Sequence, residues 1–194
     1  MGTQIGLDQT AVVDAAAALA DDHGFRNVTL AMLASQLGMR SQSLYAHVEG
    51  IDGLRRQVAL RGLALLGDDL REAVMARAGA DALRAVADTY ATFADAHPGL
   101  YEASLRAPGD DTEMAEAQER TMEPLAAVLR SYGVDGDELI HRYRVIWASI
   151  HGFVTLRQAG LMSRPVDVDE SFARLVAMLC DDLALRQAPA GVAS

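Results

Sequence analysis

Any chemistry in this chain has to come from a small set of side chains. Five histidines (His23, His47, His97, His141 and His151) and one cysteine, Cys180, stand among 27 carboxylates. The histidines lack a metal-binding spacing such as H-E-x-x-H, and no glycine-rich phosphate loop or nucleophile elbow accompanies them. The adjacent carboxylates Asp21-Asp22, Asp68-Asp69, Asp110-Asp111 and Asp181-Asp182 read as solvated surface or helix caps. No catalytic residue, metal ligand or cofactor is expected. What remains is the polar run Arg40-Ser41-Gln42-Ser43, followed by Tyr45 and His47. Guanidinium, hydroxyl and amide groups gathered on one short element suit hydrogen bonding to base edges and phosphates of duplex DNA.

Such a run works only if two short helices hold it steeply against each other around a tight turn. Residues 30–48 read LAMLASQLGMRSQSLYAHV, with Ala34 small enough for a helix crossing and Gly38 tolerant of positive φ four residues later. Leu33, Leu37, Met39 and Leu44 fall where both helices would lock together, and Thr29 is placed to cap the first of them. The pair therefore reads as a helix-turn-helix. A plain helical hairpin uses the same Ala, Gly and Leu spacing, but it gives no reason for the polar outer face.

Helical spacing recurs along the whole chain, and no strand-like alternation interrupts it. A first helix begins after Asp8, buries Val12, Ala16, Leu19 and Ala20, and stops at Gly24. The third helix is expected over about 41–48 with Gly50 ending it, and Asp52 caps a fourth running to about Arg77. Gly79 and Pro98-Gly99 bracket a fifth, and Pro98 opens a short sixth. After the loop Ala107–Asp111, helices are expected at about 112–132, 136–160 and 168–186, the last capped by Asp167 or Asp169. The fold class is all-α: a DNA-binding domain over 1–53, a larger helical domain over 54–188 for effector binding and dimerisation, and a frayed tail over 189–194.

Composition bounds the alternatives. The chain has 194 residues, 51% of them hydrophobic and 5% aromatic, so its core must be built from Ala, Leu, Val and Met. All 17 basic residues are arginine, which together with the abundant alanine points to GC-biased, bacterial coding. One cysteine fits a reducing cytoplasm, and neither a signal peptide nor a membrane-length apolar run is legible. The net charge of −10 opposes long-range attraction to phosphate, so a DNA contact needs a local patch. Residues 1–56 hold four arginines against six acids, four of the acids on or beside the first helix.

Asp22-His23-Gly24-Phe25, Val28-Thr29, Leu33-Ala34, Leu37-Gly38-Met39 and Ser43-Leu44-Tyr45-Ala46-His47-Val48 together resemble the N-terminal domain of the TetR family of transcriptional regulators. The likeness covers residues 8–55 nearly without gaps. It implies that Thr29, Tyr45 and His47 grip the DNA backbone and that Arg40, Ser41, Gln42 and Ser43 face bases or adjacent phosphates. It also implies a homodimer released from a double-stranded operator by an effector. Two positions depart from the pattern. Ile51 stands where the family commonly has a phosphate-clamping lysine, and Ala31 and Met32 stand where a polar or basic residue is common. Arg55 and Arg56, one turn further on, are candidates to substitute. The alternative is a helical small-molecule-binding or interaction protein that has lost DNA recognition.

The C-terminal part resembles the family in layout. Trp147 and His151-Gly152 match the W-x-x-x-H-G pattern of one subclass, and their spacing puts both rings on one helix face. Tyr90, Phe93, Tyr101 and Met122, with Trp147 and His151, are candidates to line a cavity for a small apolar effector, helped by Met75 and Met114. The same residues would serve equally well as plain core. Broad apolar faces on the last two helices, with Ile146, Ile150, Phe153 and Val154, then Phe172, Leu175, Val176, Leu179 and Leu183, suit a four-helix dimer interface.

Overall fold

The computed structural model describes residues 8–187, with side chains to residue 184; the expected frayed tail at 189–194 lies outside them. Among the described residues every regular element is helical. The helices are α1 (Gln9–His23), α2 (Leu30–Gln36), α3 (Ser41–Leu44), α4 (Gly50–Val74), α5 (Gly79–Ala96), α6 (Pro98–Ser104), α7 (Thr112–Ser131), α8 (Gly136–Gln158) and α9 (Val168–Gln187). A single 3-10 turn, Phe25–Asn27, joins α1 to α2. The chain forms two compact units, one of residues up to Leu65 with Ala96–Gln118, the other of Leu66–Asp95 with Glu119 onward.

In the first unit, side chains cap the helices where sequence places them. Asp8 accepts from the Ala11 amide at 2.8 Å and opens α1, and Thr29 Oγ1 accepts from the Met32 amide at 3.2 Å and opens α2. Gly38 turns the chain with φ of 63°, a conformation that a Cβ would strain. Val12, Ala16, Ala20, Leu33, Leu44 and Leu54 are almost wholly excluded from solvent and form the core beneath α2 and α3.

Three boundaries differ from expectation. The third helix keeps only Ser41–Leu44, and residues 45–47 continue as a turn, because hydrogen bonds tighten to Tyr45 N→Gln42 O and His47 N→Leu44 O. Gly50 begins α4 instead of ending α3, and Asp52 sits inside its first turn, 3.8 Å from Arg55. The far end of α4 stops at Val74, three residues early, where Ala76 turns out of the helix with φ of 58°.

Helix α6 is seated in this unit by two close backbone approaches. A Cβ on Gly99 would lie 2.1 Å from the Ala20 carbonyl carbon, and one on Gly62 would lie 2.8 Å from the Leu100 oxygen. Only glycine allows α1 and α4 to come that near to α6.

The second unit packs the C-terminal part of α4 with α5, the rest of α7, α8 and α9. Its core contains Leu83, Ala87, Phe93, Leu129, Ile146, Val154 and Leu183. Arg142 on α8 is buried and held by Glu138 at 2.8 Å and by Asp182 of α9, so the register of the two helices is fixed by charge as well as by packing. Asp167 opens α9, accepting from the amides of Asp169 at 2.9 Å and Glu170 at 3.3 Å.

Candidate DNA-reading surface

The seven side chains singled out in the first domain lie at the start of α2 and on and just after α3. Arg40, Ser41, Gln42, Ser43 and Tyr45 are exposed on and around α3, His47 is half-buried just after it, and Thr29 is exposed at the start of α2. Leu44 is fully buried between them and anchors the short helix. The Tyr45 ring is 64% exposed, unusually free for a large aromatic in a small domain. The Thr29 oxygen is already engaged as the α2 cap, and its O–H stays available to donate to a phosphate. No side chain caps α3, which begins after Arg40. The surface thus offers hydroxyls, an amide, a phenol, an imidazole and one guanidinium.

The charge balance of this surface is less basic than the sequence allows. Arg55 donates to the Arg26 carbonyl at 3.2 Å and lies beside Asp52. Arg56 forms a bidentate pair with Asp111, at 2.6 and 2.8 Å, and a third bond to Glu113 at 2.7 Å. Both guanidiniums are thus already engaged within the protein. Arg26 pairs with Glu102 and Arg61 with Asp14, each at 2.8 Å. Of the arginines up to residue 61, Arg40 alone makes no ion pair among the described residues.

Sequence reasoning had no means of finding the Arg56 partners, which lie 55 and 57 residues away. The same contact makes Asp111 a double anchor. It also caps α7 by accepting from the Met114 amide at 3.1 Å, and the Arg56 guanidinium holds its carboxyl down to about 2.

In the second unit the effector candidates are distributed unevenly. Tyr90 and Phe93 are buried on α5, and Met122 is half-buried on α7. His151 on α8 reaches Tyr90 Oη with its Nδ1 at 3.3 Å and Thr155 Oγ1 with its Nε2 at 3.5 Å, and burial pulls its pKa down. Trp147 stacks on the same ring with centroids 5.3 Å apart, yet it is 39% exposed. Tyr101 is buried on α6 in the first unit. None of these residues lines the open groove of about 590 Å³ along α4 and α5, whose walls are Asp69, Glu72, Arg77, Asp81, Arg84 and Asp88 with small neighbours.

The apolar faces of the last two helices also divide differently from expectation. Ile146, Ile150, Val154, Phe172, Val176 and Leu183 are buried in the chain's own core, and Phe153 packs on Phe172 with ring centroids 5.1 Å apart. Val145, Leu156 and Met178 face outward instead and are 46–68% exposed. Ala148 and Ala177 are exposed between them, and a Cβ on Gly152 would meet nothing within 4 Å. Among the described residues, no group of three or more His, Cys, Asp or Glu is placed to hold a metal ion. No helix among them is long and apolar enough to cross a membrane.

A capped α2, a glycine turn and a short polar α3 make up a helix-turn-helix. The comparisons give the particular family. Residues 12–58 match the family described as bacterial regulatory proteins, tetR family, and residues 83–179 match the tetracyclin repressor-like C-terminal domain. The chain is 35% identical to the HTH-type transcriptional regulator Rv0681 of Mycobacterium tuberculosis over 190 residues, covering 97% of this chain and 87% of that protein. It is 34% identical to the HTH-type transcriptional regulator YobS of Bacillus subtilis over 174 residues, covering 89% and 91%. The solved structure of SCO7222, a TetR from Streptomyces coelicolor, superposes with a TM-score of 0.72 at 19% identity, covering 92% of this chain and 98% of that one. The chain belongs to the TetR family and is a DNA-binding transcriptional regulator. Members of this family bind DNA operators as dimers and are not enzymes.

Proposed function

We propose that this regulator is a repressor that binds an inverted-repeat operator as a homodimer and leaves it when a small apolar molecule occupies the helical C-terminal domain. The observation that carries the DNA part is the exposed polar face of α3 on a frame fixed by Thr29, Gly38 and Leu44. Thr29, Tyr45 and His47 contact phosphates, while Arg40, Ser41, Gln42 and Ser43 address base edges or adjacent phosphates. Two such helices, about one helical turn of DNA apart, enter successive major grooves.

The dimer forms through α8 and α9. The outward stripe from Val145 to Leu156, with its gap at Gly152, supports a close approach by a second copy, since nothing within the chain calls for glycine there. The effector sits in the second unit, among Tyr90, Phe93, Met122, Trp147 and His151. Its binding shifts α4, which carries the motion toward α3. A differential affinity of ~3 kcal/mol gives a coupling of over a hundredfold. The protein acts in the cytoplasm, where operator DNA is.

Selection of duplexes from a random-sequence pool by the purified protein tests this reading. Recovery of an inverted repeat with half-sites about one turn apart is expected. Recovery of no duplex at low salt would overturn it.

A further inference from the structure

The link between α1 and α6 is built more tightly than a helix contact requires. Asp21, near the end of α1, is part-buried and accepts from the amides of Gly99 at 2.9 Å and Leu100 at 3.0 Å, and its second oxygen lies 3.0 Å from His97 Nδ1. One carboxylate therefore both caps α6 and pairs with the residue that precedes it. Beside it, Gly99 approaches the Ala20 carbonyl so closely that no side chain fits. Arg26 in the connecting 3-10 turn reaches Glu102 on α6 at 2.8 Å, and Arg55 on α4 donates to the Arg26 carbonyl. The unit is closed at its other end by Arg56, which binds Asp111 at the start of α7.

We infer that Asp21 is a positioning residue that fastens α6 to the DNA-reading helices, so that the body reading half-site spacing is α1–α3 together with α6 and the start of α7. This rests on the operator-binding dimer proposed above. A displacement of α6 then reaches α1 directly through the Asp21 carboxylate, in addition to any movement of α4. The carboxylate is suited to this because two backbone amides fix it along the α6 axis, while His97 fixes it from the side.

Two measurements test the inference. In the wild-type protein, native-state hydrogen exchange with increasing denaturant should show the Gly99 and Leu100 amides opening together with the α1 amides of Ala16 and Ala20. Independent opening of α6 at lower denaturant would overturn it, with no variant required. The second measurement uses Asp21→Ala, Asp21→Asn and operators whose central spacer is lengthened or shortened by one base pair. Asp21→Ala should exchange Gly99 and Leu100 about tenfold faster and should lose most of the wild type's discrimination among spacers. Asp21→Asn, which keeps an acceptor oxygen, should restore both. If Asp21→Ala lowers affinity for every spacer by the same factor, Asp21 is only a stabilising residue and the inference fails. If wild-type protein selects no duplex, the operator reading fails instead, and the exchange experiment still decides whether α6 and α1 move as one body.

Discussion

Gly99 and Gly152 are the same residue type in two regions with opposite needs. At the α1–α6 crossing, Gly99 is required by the chain's own packing: a Cβ there would overlap the Ala20 backbone at 2.1 Å. On α8, Gly152 has only open space around it and sits amid exposed Val145, Ala148 and Leu156. The first region is complete in one copy of the chain. The second is small and apolar at Val145, Ala148 and Leu156, and no described residue covers it. The contrast separates residues that make the fold from residues that anticipate a second molecule.

The sharpest way to break that comparison is to add atoms at both glycines. Gly99→Ala should destabilise the protein by about 3 kcal/mol or more, because the overlap is with backbone, which cannot swing aside. Chemical unfolding measures it, and a change below ~1 kcal/mol would mean that α6 yields easily. Gly152→Leu should leave the fold of a single chain intact while dissociating the dimer. Light scattering at micromolar concentration should report the monomer mass, and operator affinity should fall more than a hundredfold as one half-site is lost. Val145→Asp should act in the same way, by placing an unpaired charge in an apolar seam.

The two regions were not equally legible in the sequence. Asp8, Gly24, Thr29, Gly38 and Asp167 act through bonds to residues two to five positions away, so local patterns announce them. The polar face of α3 was visible for the same reason. Asp21, Gly62, Gly99, Arg56 and Asp111 act on partners 38 to 79 residues distant, and no periodicity encodes such a pairing. The bonds of Arg55 to the Arg26 carbonyl and of Arg56 to Asp111 and Glu113, 29 to 57 residues away, were hidden for the same reason. For α8 and α9 the sequence showed more apolar residues than one face needs. It could not divide them between core and partner, because helices apolar on two sides leave the choice to tertiary packing.

On the DNA surface the expected effects are smaller and differ in kind. Arg40→Ala or Gln42→Ala should cost roughly 1–3 kcal/mol on the preferred operator and relax the preference at one position. Tyr45→Phe should cost about 0.5–1.5 kcal/mol on all sequences alike, since a phosphate contact carries no base information. Titration against a panel of operator variants distinguishes the two patterns. With Arg26, Arg55, Arg56 and Arg61 internally paired, few cations per monomer face phosphate. The slope of log K against log salt should therefore be shallow, about −0.9 for each phosphate neutralised. A steep slope would show that these pairs open on DNA.

The smallest expected effect separates the two regions by pH. Burial lowers the His151 pKa from its ordinary value of 6.5, so the unfolded chain binds this proton first as pH falls. Its contribution to stability is complete above 6.5 and declines as pH drops below that value. The Arg56 pair holds Asp111 at about 2 against an ordinary 3.8, so this contribution is complete above 3.8 and is lost only as pH approaches 2. Mild acid should therefore loosen the unit containing Tyr90 and His151 while the Arg56–Asp111 clamp remains closed. The comparison is between wild type and His151→Gln, which keeps a hydrogen-bonding group beside Tyr90. The difference in unfolding free energy between the two proteins should change between pH 7 and 5, with wild type losing more. It should level off only once His151 is protonated in the folded as well as the unfolded chain. A difference that stays constant from pH 7 to 5 would mean that His151 accepts its proton in the folded protein at no cost, and the proposed contrast between the two regions under mild acid would disappear.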